Sequence, residues 1–189
     1  MIDLCAAPGG KTLLLAEEMQ GQGALYSCDV AEHRVGSSGA LWNGWALPMS
    51  PPSAMMPPAP TQSCPPQTAF WWMPPAAAWV FWQKRPDIRY KTLEKARHDE
   101  LLATQPSILD TAAALLKAGG RLVYSTCTID PAENEEQVAA FLARHPEFRV
   151  VRPAVAFPDG MTVGEHGALS VPTRTGMDGF FLCAMQKTQ

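Results

Sequence analysis

Residues 2–12 read Ile-Asp-Leu-Cys-Ala-Ala-Pro-Gly-Gly-Lys-Thr, and this stretch decides the fold. A short apolar run leads into small residues and two glycines, and a helical pattern follows at once and extends to residue 19. A strand, a glycine turn and a helix in this order form the building unit of doubly wound α/β domains. Glycines let a ligand approach the backbone, and the free amides at the start of the helix face that ligand.

Several kinds of site contain a glycine turn of this type. A phosphate-binding loop requires a glycine five residues before Gly10, and Cys5 occupies that position. A dinucleotide fingerprint requires Gly-x-Gly-x-x-Gly, which the stretch lacks. The first motif of an S-adenosylmethionine-dependent methyltransferase is the third possibility, and a tight turn that binds nothing is the fourth.

The string from Asp3 to Thr12 resembles the first motif of the Sun/Fmu-type RNA cytosine-C5 methyltransferases, which modify small-subunit ribosomal RNA. The resemblance implies an α/β, Rossmann-like methyltransferase fold. Its central, mostly parallel sheet would have seven strands, with helices on both faces. The implied cofactor is S-adenosylmethionine. The expected cofactor-binding residues are Cys5, Ala6, Ala7, Pro8, Gly9, Gly10, Lys11 and Asp29.

Asp29 is included because of its position as well as the resemblance. Residues 24–30 are predicted to form the second strand, and Asp29 follows Gly10 by 19 residues. An acidic side chain about 20 residues beyond the glycine turn binds ribose hydroxyls in folds of this kind. The alternatives are a helix N-cap and a loop carboxylate.

Composition limits the class of protein. A chain of 189 residues suits one catalytic domain, and the net charge of −3 argues against a strongly basic nucleic-acid platform. No apolar run approaches the roughly 20 residues that a membrane span needs. The cysteines are odd in number and lack a CxxC pair, which predicts no metal site, no disulfide framework and a cytoplasmic location. They are Cys5, Cys28, Cys64, Cys127 and Cys183.

Residues 36–82 differ in character from the rest of the chain. They contain no Asp, Glu, Lys or Arg, but all six tryptophans and ten of the eighteen prolines. No helical or strand period is visible there, and prolines remove hydrogen-bond donors from a sheet. We therefore expect this segment to fold poorly.

The codons of Met and Trp are unique, so part of the nucleotide sequence can be reconstructed. Residues 70–74, Phe-Trp-Trp-Met-Pro, correspond to TTY-TGG-TGG-ATG-CCN. The frame that begins one nucleotide before the codon of Trp71 gives Leu-Val-Asp-Ala, and residues 75–82 then permit Pro-Cys-Ser-Gly-Leu-Gly-Val-Leu. Asp-Ala-Pro-Cys-Ser-Gly resembles the fourth motif of the same family. The hypothesis is that residues 36–82 are a frameshifted translation, produced by two compensating indels or sequencing errors.

The second half of the chain again shows regular patterns. Residues 84–90, Lys-Arg-Pro-Asp-Ile-Arg-Tyr, resemble the segment that follows the family's fourth motif. Spacing predicts helices over residues 93–102, 107–117 and 132–144, the second ended by two glycines at 119 and 120. Strands are predicted over residues 121–125, 148–155 and 179–185. The last is expected at the edge of the sheet.

Cys127 is the candidate catalytic residue. Residues 124–128, Tyr-Ser-Thr-Cys-Thr, followed by Glu-Asn-Glu at 133–135, resemble the family's sixth motif, whose cysteine is the nucleophile. C5 of cytosine is a poor nucleophile, and addition of a thiolate to C6 moves electron density onto C5. A thiolate at neutral pH requires nearby cations or helix amides to lower the pKa of the thiol. The alternative is a small buried hydrophobic side chain.

RNA is the expected partner. A cytosine attacked at C6 must be unstacked, which favours a loop nucleotide. Candidate phosphate contacts are Lys84, Arg85 and Arg89, with Lys91, Lys95 and Arg97 in the same basic cluster, although a solvated helix face would look similar. Because the chain starts inside a strand, we also expect a missing N-terminal RNA-binding domain. The alternative functions are methylation of a non-RNA substrate and an inactive gene remnant.

Overall fold

The computed structural model describes residues 1–6, 9–29, 53–54, 67–72, 76, 95–154 and 156–188, with the backbone alone at 53–54 and 67–72. The strands are β1 (Ile2–Asp3), β2 (Tyr26–Asp29), β3 (Ser53–Ala54), β4 (Gln67–Trp72), β5 (Leu116–Thr126), β6 (Phe148–Val150), β7 (Thr162–Gly164), β8 (Gly167–Ser170) and β9 (Phe180–Lys187). The helices are α1 (Gly10–Met19), α2 (Lys95–Leu115), a 3₁₀ helix (Pro131–Glu133), α3 (Glu135–Arg144) and α4 (Pro172–Thr175). Among these helices, none is both long and apolar enough to cross a membrane.

The described strands form one sheet in the order β3-β2-β1-β4-β5-β9-β8-β7, with β6 paired to β9. The pairs from β3 through β5 are parallel, and all pairs that involve β6 to β9 are antiparallel. The chain runs outward from β1 to β3 and then returns to place β4 on the other side of β1. Ligands of such sheets bind where the strand order reverses, at the carboxyl ends of the strands.

This architecture confirms the predicted fold class but divides the pairing more evenly than expected. The four parallel pairs fill one half of the sheet and the four antiparallel pairs fill the other. The described sheet also has nine strands where seven were expected, because the short β7–β8 hairpin adds to β9. Strand β9 is therefore not an edge strand, since it pairs with β5 on one side and with β8 on the other.

The core lies between β5, β9 and the helices α2 and α3. Tyr124 of β5 stands opposite Cys183 of β9, and Leu122 stands opposite Met185, so these four buried side chains share a face. Apolar residues at helical spacing cover them. The helical members of this cluster are Ile108, Leu109, Ala112, Ala113, Leu115, Val138 and Phe141.

Helix α2 is continuous where two helices were predicted. Pro106 lies inside it and removes one backbone donor, which ordinarily breaks a helix. The buried residues on both sides of Pro106, from Gln105 to Ala113, hold the helix against the core, so tertiary packing outweighs the local preference. The helix also ends at Leu115, before the two glycines that were expected to stop it.

Two further expectations differ from the structure. The single helix predicted over residues 132–144 is divided at Asn134 into the 3₁₀ helix and α3. The segment 36–82 was expected to lack strands, yet Gln67–Trp72 forms β4 and pairs in parallel with β1 and β5. Backbone pairing of a strand flanked on both sides does not require an alternating side-chain pattern.

Phe141 offers a test of the core. Its ring lies 4.5 Å from the ring of His145 and 5.1 Å from that of Phe148, between centroids, and it is fully buried. Phe141→Ala should lower the free energy of unfolding by about 3–5 kcal/mol, because it leaves a cavity. Urea titration followed by circular dichroism measures the change. Leu14→Ala is the control, since Leu14 is 58% exposed, and it should shift stability by about 0.5 kcal/mol or less; equal losses would contradict the assigned core.

Candidate active site

The parallel register brings the predicted site residues to one edge of the sheet. Asp3 of β1 is level with Ser27 of β2 and with Trp71 of β4, and Trp71 is level with Val123 of β5. Beyond that level the strands end. The glycine turn follows β1, Asp29 closes β2, and Cys127 follows β5 directly. Residues far apart in sequence therefore lie at the carboxyl ends of neighbouring strands.

The glycine turn starts α1 as the sequence predicts. Gly9 is the N-cap, with φ of 113°, a conformation that side chains rarely adopt, and its carbonyl accepts from the Leu13 amide at 2.9 Å. A Cβ added at Gly10 would meet no described heavy atom within 4 Å. The space beside Gly10 is thus open to a ligand. Ala7 and Pro8, also predicted to bind the cofactor, lie outside the described residues.

A hydrogen bond between Asp3 and Thr12 holds the two ends of the glycine turn together. The Thr12 hydroxyl donates to Asp3 Oδ2 at 2.6 Å, and both residues are buried. Burial raises the pKa of the Asp3 carboxyl, and the bonds from Thr12 and the Cys5 backbone, together with the charge of Lys11, oppose this rise. The interaction connects β1 to α1. Sequence analysis did not assign this pair a role; the signal was a carboxylate inside an apolar strand.

Asp29 lies where the sequence predicts, as the last residue of β2. It is buried, and its charge contributes to the raised pKa of Asp3, so the two carboxylates are neighbours. The Ala6 amide donates to the Cys28 carbonyl at 3.0 Å and holds the segment after β1 alongside the end of β2. Cys5, Ala6 and Asp29 are thereby brought together. A carboxylate in this position can accept hydrogen bonds from the hydroxyls of a ligand.

Cys127 is the first residue after β5 and is partly buried. Burial raises the pKa of its thiol, and the Glu133 carboxylate raises it further. A bond from its own backbone amide and the charge of Lys11 act in the opposite direction. The expectation of a lowered pKa is therefore wrong for this geometry, because desolvation outweighs the nearby cation. The effect of the Lys11 charge on this thiol is consistent with the register, which ends β1 and β5 at the same edge of the sheet.

A polar network under Cys127 was not found by sequence analysis. The Tyr124 hydroxyl donates to the Glu133 carbonyl at 2.5 Å, and the Gln105 amide donates to Glu133 Oε2 at 2.9 Å. His98 Nε2 lies 2.9 Å from Asp130 Oδ2 and 3.9 Å from Glu133 Oε1. Ligating atoms of His98, Asp130 and Glu133 are within 4.8 Å of one another, so these three residues could hold a metal ion.

The predicted RNA contacts stay predictions. Lys84, Arg85 and Arg89 lie outside the described residues, as does Lys91. At the start of α2, the Lys95 amine is exposed and pairs with Asp99 at 2.6 Å. An exposed pair of this kind contributes little to stability, so Lys95 could exchange Asp99 for a phosphate at small cost.

The fold is the Rossmann-like fold of S-adenosylmethionine-dependent methyltransferases. The crystal structure of PH0851 superposes with a TM-score of 0.88 and 31% identity, covering 98% of this chain and 42% of that one. NSun6 from Pyrococcus horikoshii with SFG superposes with a TM-score of 0.81 at 22% identity, covering all of this chain and 47% of that one, which supports the fold.

The chain belongs to the 16S rRNA methyltransferase RsmB/F family, whose match covers residues 1–41 and 73–186. It is 33% identical over 202 aligned positions to a probable ribosomal RNA small subunit methyltransferase B of Synechocystis. It is 32% identical over 203 aligned positions to the Bacillus subtilis protein of the same name. Each alignment covers 99% of this chain but 43% of the relative, so the chain spans less than half the length of these relatives.

The raised pKa of Asp3 predicts how stability depends on pH. The folded state binds this proton more tightly than the unfolded state, so the free energy of unfolding falls as pH rises from about 3.8 through the raised pKa. Asp3→Asn cannot ionise and should lack this fall. Its stability relative to the unaltered chain should therefore increase between pH 4 and pH 7, measured by urea titration at each pH.

Glu18→Gln is the matched control for that experiment, because it removes an exposed carboxylate from α1. The pH-dependent gain of Asp3→Asn should exceed that of Glu18→Gln. Parallel curves for the two variants would show that burial of Asp3 does not affect its ionisation.

Proposed function

We propose that this protein transfers a methyl group from S-adenosylmethionine to C5 of a cytosine in RNA, with 16S ribosomal RNA as the substrate. The observation that carries the proposal is the position of Cys127 directly after β5, at the same carboxyl edge of the sheet as the Gly9–Gly10 turn after β1. Membership of the RsmB/F family and the names of the relatives support the substrate. The enzyme would act in the cytoplasm, where ribosomal RNA is found in bacteria.

The residues at the edge fit S-adenosylmethionine. The open space beside Gly10 admits a ligand to the backbone, and the first amides of α1 suit a carboxylate. Asp29 offers acceptors for ribose hydroxyls at the end of the next strand. The proposed binding residues are thus Cys5 to Lys11 and Asp29. When bound, S-adenosylmethionine supplies an electrophilic methyl group.

Cys127 supplies the nucleophile. Its sulfur bonds to C6 of the cytosine, and the electron pair of the C5–C6 double bond moves to C5, which then takes the methyl group. A base removes the C5 proton, the double bond reforms, and the sulfur leaves C6 with its electron pair. Covalent catalysis replaces one difficult step with several easier ones. Burial raises the pKa of this thiol, and the charge of Lys11 acts against that rise, so Lys11 favours the thiolate that the addition to C6 needs.

The RNA partner would present an unstacked cytosine to this edge. Every base-modifying enzyme of this type must reach an atom that stacking hides, and a loop nucleotide costs the least to extrude. Lys84, Arg85 and Arg89 follow the segment after β4 in sequence and would contact the phosphates.

Removal of the sulfur tests the mechanism. Cys127→Ser should reduce methyl transfer to 16S ribosomal RNA by about 10⁴-fold or more, because the hydroxyl is a far weaker nucleophile. RNA that contains 5-fluorocytosine should form a stable adduct with Cys127, since fluorine cannot leave C5 as the proton does. Cys183→Ala is the control: burial raises the pKa of that thiol to about 12, and its loss should leave the rate within about twofold. Full activity of Cys127→Ser would refute the covalent mechanism.

We further propose that residues 36–82 are translated from a shifted reading frame. The family match omits residues 42–72, which lie inside this segment, and resumes at residue 73. The shifted frame supplies Leu-Val-Asp-Ala where the in-frame sequence has Trp-Trp-Met-Pro. The chain as written then lacks an acidic residue and a second cysteine that the family's fourth motif contributes, and it should be inactive.

Sequencing of the gene tests this proposal. Two compensating insertions or deletions should bound residues 36–82, and the chain with its frame restored should methylate RNA while the chain as written should not. An uninterrupted frame, together with a tryptic peptide whose mass matches residues 35–84 as written, would contradict it. The rates of the Cys127 and Cys183 variants are therefore compared in the frame-restored chain.

A further inference from the structure

The side chain of Asn134 forms hydrogen bonds with the residues on both sides of Cys127. Its Oδ1 accepts from the Thr126 hydroxyl at 2.5 Å, and its Nδ2 donates to the Thr128 carbonyl at 3.0 Å. Thr126 and Thr128 are the residues on either side of Cys127. All three partners are fully buried, so these bonds lie in a medium of low dielectric, where hydrogen bonds are strong.

Asn134 is itself fixed by the backbone. The backbone N–H of Asn134 donates to the Pro131 carbonyl at 3.1 Å, and the backbone carbonyl of Asn134 accepts from the Val138 N–H at 3.1 Å. Val138 belongs to the hydrophobic core. The amide side chain therefore projects from a junction that the 3₁₀ helix holds on one side and α3 holds on the other.

Thr128 is held at a second point. The Asp130 amide donates to the Thr128 hydroxyl at 3.2 Å, and Asp130 Oδ1 accepts from the Ala132 amide at 3.0 Å. His98 of α2 contacts the same carboxylate. The backbone after Cys127 is thus held to the 3₁₀ helix, while the backbone before it belongs to β5.

We propose that Asn134 is a positioning residue for Cys127, and that its two bonds hold the residues on either side of the reacting sulfur, Thr126 through its hydroxyl and Thr128 through its carbonyl. The inference rests on the proposed role of Cys127 as nucleophile. Bonding to Thr126 and Thr128 together requires one acceptor and one donor on the same short side chain, and an amide provides both. A carboxylate of the same shape would keep the bond from Thr126 but would face the Thr128 carbonyl without a proton.

Asn134→Asp tests the proposal directly, in the frame-restored chain. A reacting atom displaced by about 1 Å can lose roughly 100-fold in rate. We expect kcat for methyl transfer, and the rate of adduct formation with 5-fluorocytosine RNA, to fall by about 30-fold or more. The KM values for RNA and for S-adenosylmethionine should stay within about threefold. A purely structural role would instead lower the amount of folded protein and leave kcat per folded molecule unchanged.

Gln186→Ala is the matched control. It also removes a side-chain amide that donates to a backbone carbonyl, that of Gly119 at 3.1 Å, but it lies on the exposed surface of β9. Its kcat should stay within about twofold of the unaltered chain. Alkylation of the buried Cys28 and Cys183, read by peptide mass spectrometry, reports whether each variant is folded.

Thr126 provides an independent variant if Asn134→Asp fails to fold. Thr126→Val removes the hydroxyl that donates to Asn134, while Thr126→Ser keeps it. The valine variant should lower kcat by about tenfold or more and the serine variant should restore most of it. The double variant Thr126→Val/Asn134→Ala should be no slower than Asn134→Ala alone. Thr126→Val removes the bond between Thr126 and Asn134, and Asn134→Ala has already removed it.

The outcomes separate this inference from the proposed function. If Cys127→Ser is inactive while folded Asn134→Asp and Thr126→Val keep full kcat, the positioning role is wrong and the function stands. Full activity of Cys127→Ser would refute the function itself. A fall in kcat shared equally by Gln186→Ala would also overturn the positioning role, since it would reflect a general loss of packing.

Discussion

The parallel pairing of β4 with both β1 and β5 is the constraint on which the site depends. It joins β1 to β5 within the parallel half of the described sheet, and it sets Asp3 level with Trp71 and Trp71 level with Val123. Only with this register does the turn after β1 end beside the loop after β5. Backbone hydrogen bonds maintain it, and they act regardless of which side chains the strand carries. A slip of one residue would turn every side chain of β4 to the opposite face.

Desolvation is the second constraint, because the sheet edge combines several ionisable groups with little water. Burial raises the pKa of Asp3 and of Cys127, and Lys11 acts against the rise at both. One cation thus serves the cofactor turn and the nucleophile loop together. Such groups retain strong mutual interactions because the surroundings screen them poorly.

The sequence predicts the parts of this structure that depend on local pattern. The glycine turn, α1, β2 with Asp29 at its end, and the placement of Cys127 after β5 all follow from short motifs and spacing. The fold class follows from them as well. Each of these predictions concerns a few neighbouring residues whose chemistry is nearly independent of the rest of the chain.

The parts that the sequence did not predict depend on contacts between distant segments. The continuity of α2 through Pro106 requires the core that covers the buried face of the helix. The residues next to Pro106 in sequence do not predict this continuity. The position of β9 inside the sheet depends on the β7–β8 hairpin. The pKa of Cys127 depends on how much protein surrounds it, which no motif encodes. The same holds for Gln105, whose bond to Glu133 spans 28 residues.

Strand β4 connects these arguments to the reading frame. Its in-frame sequence ends in the apolar run Ala-Phe-Trp-Trp at residues 69–72, and its backbone occupies the place between β1 and β5 that the parallel sheet requires. In the shifted frame the codons at the end of this strand specify Leu-Val-Asp, an apolar pair followed by a carboxylate. Buried parallel strands are apolar along their length, and functional residues follow at their carboxyl ends. The proposed shifted frame would therefore add a carboxylate at the carboxyl end of β4. That position lies between the glycine turn on one side and Cys127 on the other.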